Sequence, residues 1–590
     1  MSTKFSNLNM ESLKAAGTDQ PHAFAAISGA SEPQASGLSR AVEFWRRAVY
    51  IYGTYKAAQL RSLLLLTTGR SDAEVHDSVW VPQHTWAGEE MYKLCIELRG
   101  FYLKAGQFIG SRSDFVPEQI CRKLALLCDK VPPMSAEATR AALQRELGVS
   151  DLSELFEWID LENPLGSASI SQVHKARLRR FSRTELSRAN ASLRRQRPQE
   201  YQLAPGEGAW DVCNALGMSL RELRAINKGV NLEQLQPGQT IQVLKPKNLE
   251  SYHNGGGTGG TSDSSTDSRA PAVAALMHAV ATGDAPKNGL VAVKVQYPGA
   301  LPVMVSDLKN IRAAAFYLSK TEIKFDLVSA VDELNKQIRL EFDFTREARV
   351  MDTISEHLRP QSKRLQIPRS VGGLVTKSSL VMSFIEGVPL LEARTRVSQM
   401  SPRARDAAKR LILSRISEAY GRMIFGEGLF QADGHPGNIL IGRGGRVGLL
   451  DYGQSKQLPD EKRRAFAELV LALNRGRASE ISAALGDLGV VTERKDPEIR
   501  TEMAYGMFDT RGKVNPFDPN SPLKQSAIST FPADMFFVMR VVQLLRGLAD
   551  GMGINDFSCA RQWAPFAKDT LSRARRGDGN RRGLRHFLPI

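Results

Sequence analysis

"QADGHPGNIL", residues 431–440, is followed after one short apolar run by "LLDYGQ", residues 449–454. The glycines and the proline put the first carboxylate and amide, Asp433 and Asn438, on a tight loop rather than along a helix. The intervening "ILI…RVGLLDYG" reads as strand, turn, strand, with Asp451 opening the next loop. An Asx-rich turn between hairpin strands accounts for the first loop alone. The second loop changes the balance, because two carboxylates and an amide at strand ends form a set of hard oxygen donors. Magnesium takes one or two carboxylates and leaves its other positions to water and substrate phosphates. The pattern therefore predicts a nucleotide site whose remaining parts lie upstream.

One such part is "VAVKVQ", residues 291–296, which puts Lys294 in an apolar strand. A buried ammonium without a partner is costly. Pairing with a helix glutamate and with nucleotide phosphates removes that cost, as for the strand lysine of protein kinases. The alternation in "VAVKVQ" also permits a lysine on the solvent face of a half-buried strand. Glu333, Glu341 and Glu347 follow in the downstream helices, and Glu333 is the expected partner.

The chain of 590 residues is long enough for three or four domains. Its composition, 42% hydrophobic and 24% charged, is that of a globular protein, and its longest apolar runs are too short to span a bilayer. Five cysteines without close pairing give neither a disulfide framework nor a zinc site. The net charge of +16 is concentrated in two runs. Residues 177–197 hold eight arginines against one acid, and residues 573–586 hold six against one. A solvated linker and a frayed tail explain these runs better than docking on anionic lipid. No aromatic residues alternate with the arginines, so nucleic acid is not the expected partner.

The fold class expected is α+β, with a small β-rich lobe, a larger helical lobe and a ligand in the cleft. Residues 1–38 read as a disordered tail without the features of a transit or secretory signal. Residues 39–150 carry helical periodicity. Residues 151–177 and 287–390 form the small lobe, ending in "SSLVMSFIEG", where Met382 and Phe384 approach the connector and are candidate nucleotide contacts. Residues 391–590 form the helical lobe and a basic tail. The small lobe is interrupted by a compact segment, 199–246, and by a Gly/Ser-rich stretch, 247–286, that reads as a flexible linker. An insert on flexible arms is expected to stay separate from the core.

"FYLKAGQFIGSRSDFVP", "GSASISQVHKA", "VAVKVQYPG", "EFDFTREA", "ADGHPGNIL" and "LLDYGQ" occur here in the order seen in UbiB-like, aarF-domain-containing atypical kinases. The resemblance covers about residues 40–177 and 288–480. It implies a bilobal protein-kinase-like fold with an N-terminal helical extension that folds over the cleft. By that resemblance Lys104, Gly106 and Gln107 match the "KxGQ" signature of the extension. Gly166, Ser167, Ala168 and Ser169 match the alanine-rich nucleotide loop, in which the glycine suggests added flexibility. Lys294 matches the nucleotide lysine, Glu341 and Asp343 the "ExD" signature, Asp433 the catalytic aspartate, and Asn438 and Asp451 the metal ligands. Gly434 stands where proline is usual and Tyr452 where phenylalanine is usual, and both changes keep the ligating side chains. His435 reads as a loop-packing residue.

The cofactors implied are ATP (or ADP) and Mg2+ or Mn2+. The activity implied is that of an ATP-dependent kinase or ATPase acting in isoprenoid-quinone or other lipid metabolism, peripheral to a membrane of a chloroplast or mitochondrion. A nucleotide-binding pseudokinase scaffold is the alternative. The insert, "YQLAPGEGAWDVCNALGMSLRELRAINKGVNLEQLQPGQTIQV", resembles a LysM module in βααβ order, which implies either a GlcNAc-type glycan or a protein as its partner. Trp210 reads as a packing residue of that module.

Overall fold

In a computed structural model the described residues are 37–110, 116–127, 133–187, 197–232, 235–244, 271–321, 327–432, 434–511, 526 and 528–576. The chain divides into two units. The first takes in residues up to 136 together with 164–173 and 296–342, and the second takes in 137–163, 174–295 and the chain from 343.

The first unit is helical. Gly37–Thr67, Val81–Leu98, Phe101–Gly110 and Glu118–Leu124 pack around Phe44, Leu94, Cys95, Tyr102 and Leu124. The short helix carrying "KAGQ" lies against its neighbours with no room for a side chain at Gly106. A β-carbon there would fall 2.5 Å from Leu127 Cδ1 and 2.7 Å from Cys95 Sγ. Helices Ala300–Thr321 and Leu327–Glu341 close a second core around Phe101, Ile170, Met304, Leu308 and Phe342. A buried ion pair between Arg40 Nε and Asp307 Oδ1 (3.1 Å) ties the first helix to this group. The nucleotide-loop segment is a tight hairpin in which Gly166 pairs with Val173 and Ser167 with Gln172. Ala168 N–H donates to the Ser171 carbonyl, and the Ser167 and Tyr297 hydroxyls meet at 2.6 Å. The added flexibility suggested by Gly166 is thus countered by bonds to the residues on either side of it.

The second unit carries most of an antiparallel sheet ordered Phe156–Ile159, Ser171–Leu178, Leu290–Gln296, Ser379–Ser383, Ser370–Val375. Lys294 sits opposite Leu380, and Ala292 opposite Met382. Helix Phe344–His357 follows directly on the "ExD" residues because Asp343 caps it, accepting from Thr345 N–H (3.0 Å) and Arg346 N–H (3.3 Å). The helical part of this unit centres on Pro402–Phe425, Asp460–Arg475 and Cys559–Arg575, where Phe425 stacks on Phe466 at 5.3 Å and the Trp563 indole donates to the Ser417 carbonyl. Among the described residues no helix is long and apolar enough to cross a membrane.

The insert has the expected element order. Strand Gln199–Gln202 pairs antiparallel with Thr240–Val243, and helices Ala209–Leu216 and Leu220–Ile226 lie between them over a core of Leu203, Val212, Cys213, Leu223 and Ile241. Two expectations about its surroundings are corrected. Of the stretch read as a flexible linker, residues 271–282 form a helix whose Ala272, Val273, Leu276 and Met277 are buried, so apolar packing fixes it. The insert is also docked rather than separate. The Asn214 side-chain amide donates to the Val375 carbonyl (3.1 Å) and accepts from Gly373 N–H (3.3 Å), which joins the insert to an edge strand of the sheet.

Candidate active site

Lys294 is 8% exposed, and its ammonium donates to both carboxylate oxygens of Glu347, at 2.7 and 2.9 Å. Glu347, rather than the expected Glu333, is therefore the helix partner; the Glu333 side chain lies outside the described residues. Asp343 ends the preceding helical run and starts a new one, which leaves Glu347 in its first turn, facing the strand. Burial pushes the Glu347 carboxyl above its ordinary value. Lys294 opposes that shift, and the nearby Asp451 adds to it. The Phe344 ring lies 5.0 Å from the ammonium and closes one side.

The two loops that decide the fold meet beside this pair. Strands Ile439–Ile441 and Val447–Leu449 form the expected hairpin. Leu450 N–H donates to the Asn438 carbonyl at 2.8 Å, so Asn438 and Asp451 are held at neighbouring strand ends. Asp451 Oδ1 lies 3.7 Å from Lys294 Nζ and accepts from Gly453 N–H at 3.0 Å. Asp451 has φ +61°, a backbone region that costs a side-chain-bearing residue energy. Several contacts hold it there. The Gln431 amide donates to the Leu450 carbonyl and, at 2.7 Å, to the Asp451 carbonyl, while Gln431 accepts from the Tyr420 hydroxyl at 3.1 Å. From the glutamate helix, Arg346 donates to the carbonyls of Gly453 (3.1 Å) and Ser455 (3.2 Å). Tyr452 is fully buried, with its hydroxyl on the Leu449 carbonyl, so it anchors the loop from below.

Asp433 lies outside the described residues. His435 is exposed and takes Gly437 N–H on its Nδ1, a local turn contact. Gly434 is required by crowding, since a β-carbon there would fall 2.5 Å from Leu544 Cδ2 and 2.8 Å from the Tyr420 hydroxyl. Met382 is buried in its strand. Phe384 donates its N–H to the Leu290 carbonyl, and Lys175 Nζ lies 4.7 Å from its ring centroid. In the first unit the Lys104 ammonium is bonded to the buried Glu341 carboxylate, and the Gln107 amide donates to the Leu127 carbonyl at 3.2 Å.

Sequence reasoning missed Gln431 and Arg346, although both lie within the quoted motifs. Gln431 is a fully buried polar residue preceding the loop, and its amide is the donor for two carbonyls. Gln431→Leu is expected to cost about 1–3 kcal/mol, because those carbonyls lose their donor within a closed site. Denaturant unfolding would read this as a lower midpoint at unchanged slope.

The sequence profile of the ABC1 atypical kinase-like domain matches residues 126–186 and 265–485, skipping the insert. The chain carries an ABC1 atypical kinase-like domain. Its ABC1 relatives include the AarF domain-containing protein kinase 1 of Gallus gallus, 21% identical over 512 residues, 81% of this chain and 74% of that one. An uncharacterised protein of Synechocystis sp. is 24% identical over 410 residues, 68% of this chain and 73% of that one. The Arabidopsis thaliana protein ACTIVITY OF BC1 COMPLEX KINASE 8, chloroplastic, is 21% identical over 403 residues, 67% of this chain and 38% of that one. Among solved structures, that of Rv3197 with erythromycin from Mycobacterium tuberculosis aligns at a TM-score of 0.41 and 18% identity, over 82% of this chain and all of that one.

The donors at the ABC1 acidic turn fit a hard divalent cation. Asp451 presents a partly exposed carboxylate beside the half-buried Asn438, and the ammonium of Lys294 is fixed within reach of the same carboxylate.

Proposed function

We propose that this chain is an ATP-dependent atypical kinase or ATPase in which Lys294 orients the nucleotide phosphates, Asp451 and Asn438 hold Mg2+ or Mn2+, and Asp433 orients the acceptor hydroxyl. The observation that carries the proposal is the buried Lys294–Glu347 pair set 3.7 Å from Asp451. Phosphoryl transfer needs positioning and charge neutralisation more than covalent chemistry, and this arrangement supplies both. Asp451 and Asn438 would hold the metal, which when bound would supply charge neutralisation for the phosphoryl group. The chain's own part is to fix the lysine by Glu347, to hold the acidic turn by Gln431 and Arg346, and to present Asp451 to the ligand. A complete lysine, glutamate and acidic turn favours turnover over a scaffold role.

The acceptor we propose is small or lipid-like, and the working location is a membrane surface. Helix Gly37–Thr67 supports this with an exposed stripe of Leu38, Val42, Val49, Leu60 and Leu63 beside Arg46 and Arg61. The chloroplastic relative supports a plastid as the compartment. The βααβ insert is proposed to be a LysM-like module.

Nucleotide turnover measured with magnesium, with and without anionic vesicles, tests this reading. Turnover that requires magnesium and rises with vesicles is expected; no turnover under either condition overturns it. In the same assay Lys104→Ala, which breaks the pair with Glu341, is expected to change nucleotide affinity or permit self-phosphorylation. Wild-type values in all three measures would make Lys104 a purely structural residue.

A further inference from the structure

The insert meets the kinase-like sheet at the helix that carries Glu347. Trp210, at the start of the first insert helix, donates its indole N–H to Asp352 at 2.9 Å. Asp352 is half-buried and also accepts both the backbone N–H and the hydroxyl of Ser370; burial raises its carboxyl, and these donors pull against that shift. The next insert residue, Asp211, is ion-paired with Arg349, whose guanidinium lies 5.7 Å from the Trp210 ring centroid. Asp211 also accepts Gly208 N–H at 2.8 Å, so one carboxylate caps its own helix and holds the neighbouring one. Trp210 is thus not a core residue of the insert, as its sequence position suggests, but part of a contact surface.

Helix Phe344–His357 therefore has two working faces. Arg346 and Glu347 face the lysine and the acidic turn; Arg349 and Asp352 face the insert. Behind this contact the backbones touch. A β-carbon on Gly373 would lie 2.3 Å from Ala275 Cβ, and one on Gly217 would lie 2.9 Å from the same atom. Both glycines have positive φ, so no other residue fits either place without strain. His278 on the helix Pro271–Thr282 bonds Glu222 of the second insert helix at 2.9 Å. The insert thus packs on both that helix and the edge strand, which themselves meet at Ala275 and Gly373.

We propose that the insert positions Glu347: Trp210 and Asp211 are positioning residues that hold helix Phe344–His357 in the register at which Glu347 meets Lys294. This rests on the kinase or ATPase reading for its functional consequence, though not for its structural one. Loss of the contact leaves Asp352 short of a donor and takes the Asp211 carboxylate away from Arg349, and the helix loses its outer support. The lysine then loses a fixed partner, which weakens nucleotide binding before it affects anything the insert itself binds.

The test uses the full chain and two readouts, amide hydrogen exchange across residues 344–357 and the affinity for Mg-ATP. Asp211→Arg and Arg349→Asp should each raise exchange in that helix and weaken Mg-ATP binding about 5-fold or more. The double exchange, which restores an opposite-charge pair, should return both measures toward wild type. Trp210→Phe, which keeps the ring and removes the donor, should give the same direction of change while the chain stays folded. Exchange at wild-type level in the single variants overturns the positioning role whatever the protein does with nucleotide. Raised exchange with unchanged nucleotide affinity would overturn the link between the helix and the site. A wild-type protein that binds no nucleotide defeats the kinase or ATPase reading, and the exchange measurement then still decides whether the insert supports the helix.

Discussion

Asp451→Asn should remove most of the magnesium-dependent stabilisation that nucleotide confers. A ligand at 100 times its dissociation constant raises stability by about 2.7 kcal/mol, and each tenfold loss of affinity takes away roughly 1.4 kcal/mol. The substitution isolates charge from backbone geometry. Residue 451 sits at φ +61°, a region that asparagine tolerates nearly as well as aspartate, so the turn should survive the change. An alanine at the same place would confound metal loss with backbone strain. The measurement is the melting-temperature shift produced by ATP with magnesium, compared with ATP and a chelator. Wild type should show a clear difference between the two, and Asp451→Asn almost none. Equal metal-dependent shifts in both proteins would remove Asp451 from the metal site.

The second large effect concerns the Lys294–Glu347 pair, and it is asymmetric. Glu347→Ala leaves a buried ammonium with the Asp451 carboxylate 3.7 Å away, too far to take the place of the lost pair. Breaking a buried pair from one side typically costs about 3–5 kcal/mol. Lys294→Met leaves a buried carboxyl instead, and that group can take up a proton. Its value is already raised by burial and by Asp451, and without the lysine it should rise further. A carboxyl with a raised folded-state value binds its proton more tightly folded than unfolded. Its contribution to stability is therefore fully present below the unfolded value and is lost as pH rises through the folded one. Lys294→Met should accordingly lie closest to wild type in mildly acidic buffer and fall away from it toward neutral pH. Denaturant midpoints across that range check the sign, and a pH-independent difference would mean that Glu347 does not titrate. Both variants should lose nucleotide turnover.

The local geometry around the candidate site was legible where it follows from neighbouring residues. The loop, strand, turn and strand between residues 431 and 454 follow from glycine, proline and alternation, and the structure reproduces them. The choice of Glu347 over Glu333 was not legible from periodicity, which allows both. The deciding signal was the Asp343 cap, which restarts the helix. The docking of the insert was less legible still. Trp210 and Asp211 belong to the first turn of an ordinary amphipathic helix, and nothing in that turn says which neighbour it will meet. The helix at 271–282 was hidden by its Gly/Ser-rich approach, although "PAVAALMHAVAT" is apolar enough to have suggested burial. Asp433 lies outside the described residues, so the role given to it still rests on the motif.

The paired strands Gln199–Gln202 and Thr240–Val243 bring the two ends of the insert side by side, with Gln199 opposite Val243. A segment that leaves and re-enters a chain at one point can be exchanged as a cassette without moving the strands it interrupts. Here the boundary of that cassette is not where the strand pair closes. Excising residues 199–243 alone would take Gly217 away from Ala275 and Glu222 away from His278, on a helix that packs against the missing piece. A portion that recombination could add or remove together with the helix packed on it therefore runs on to residue 282, and shorter excisions should accumulate as aggregated chains.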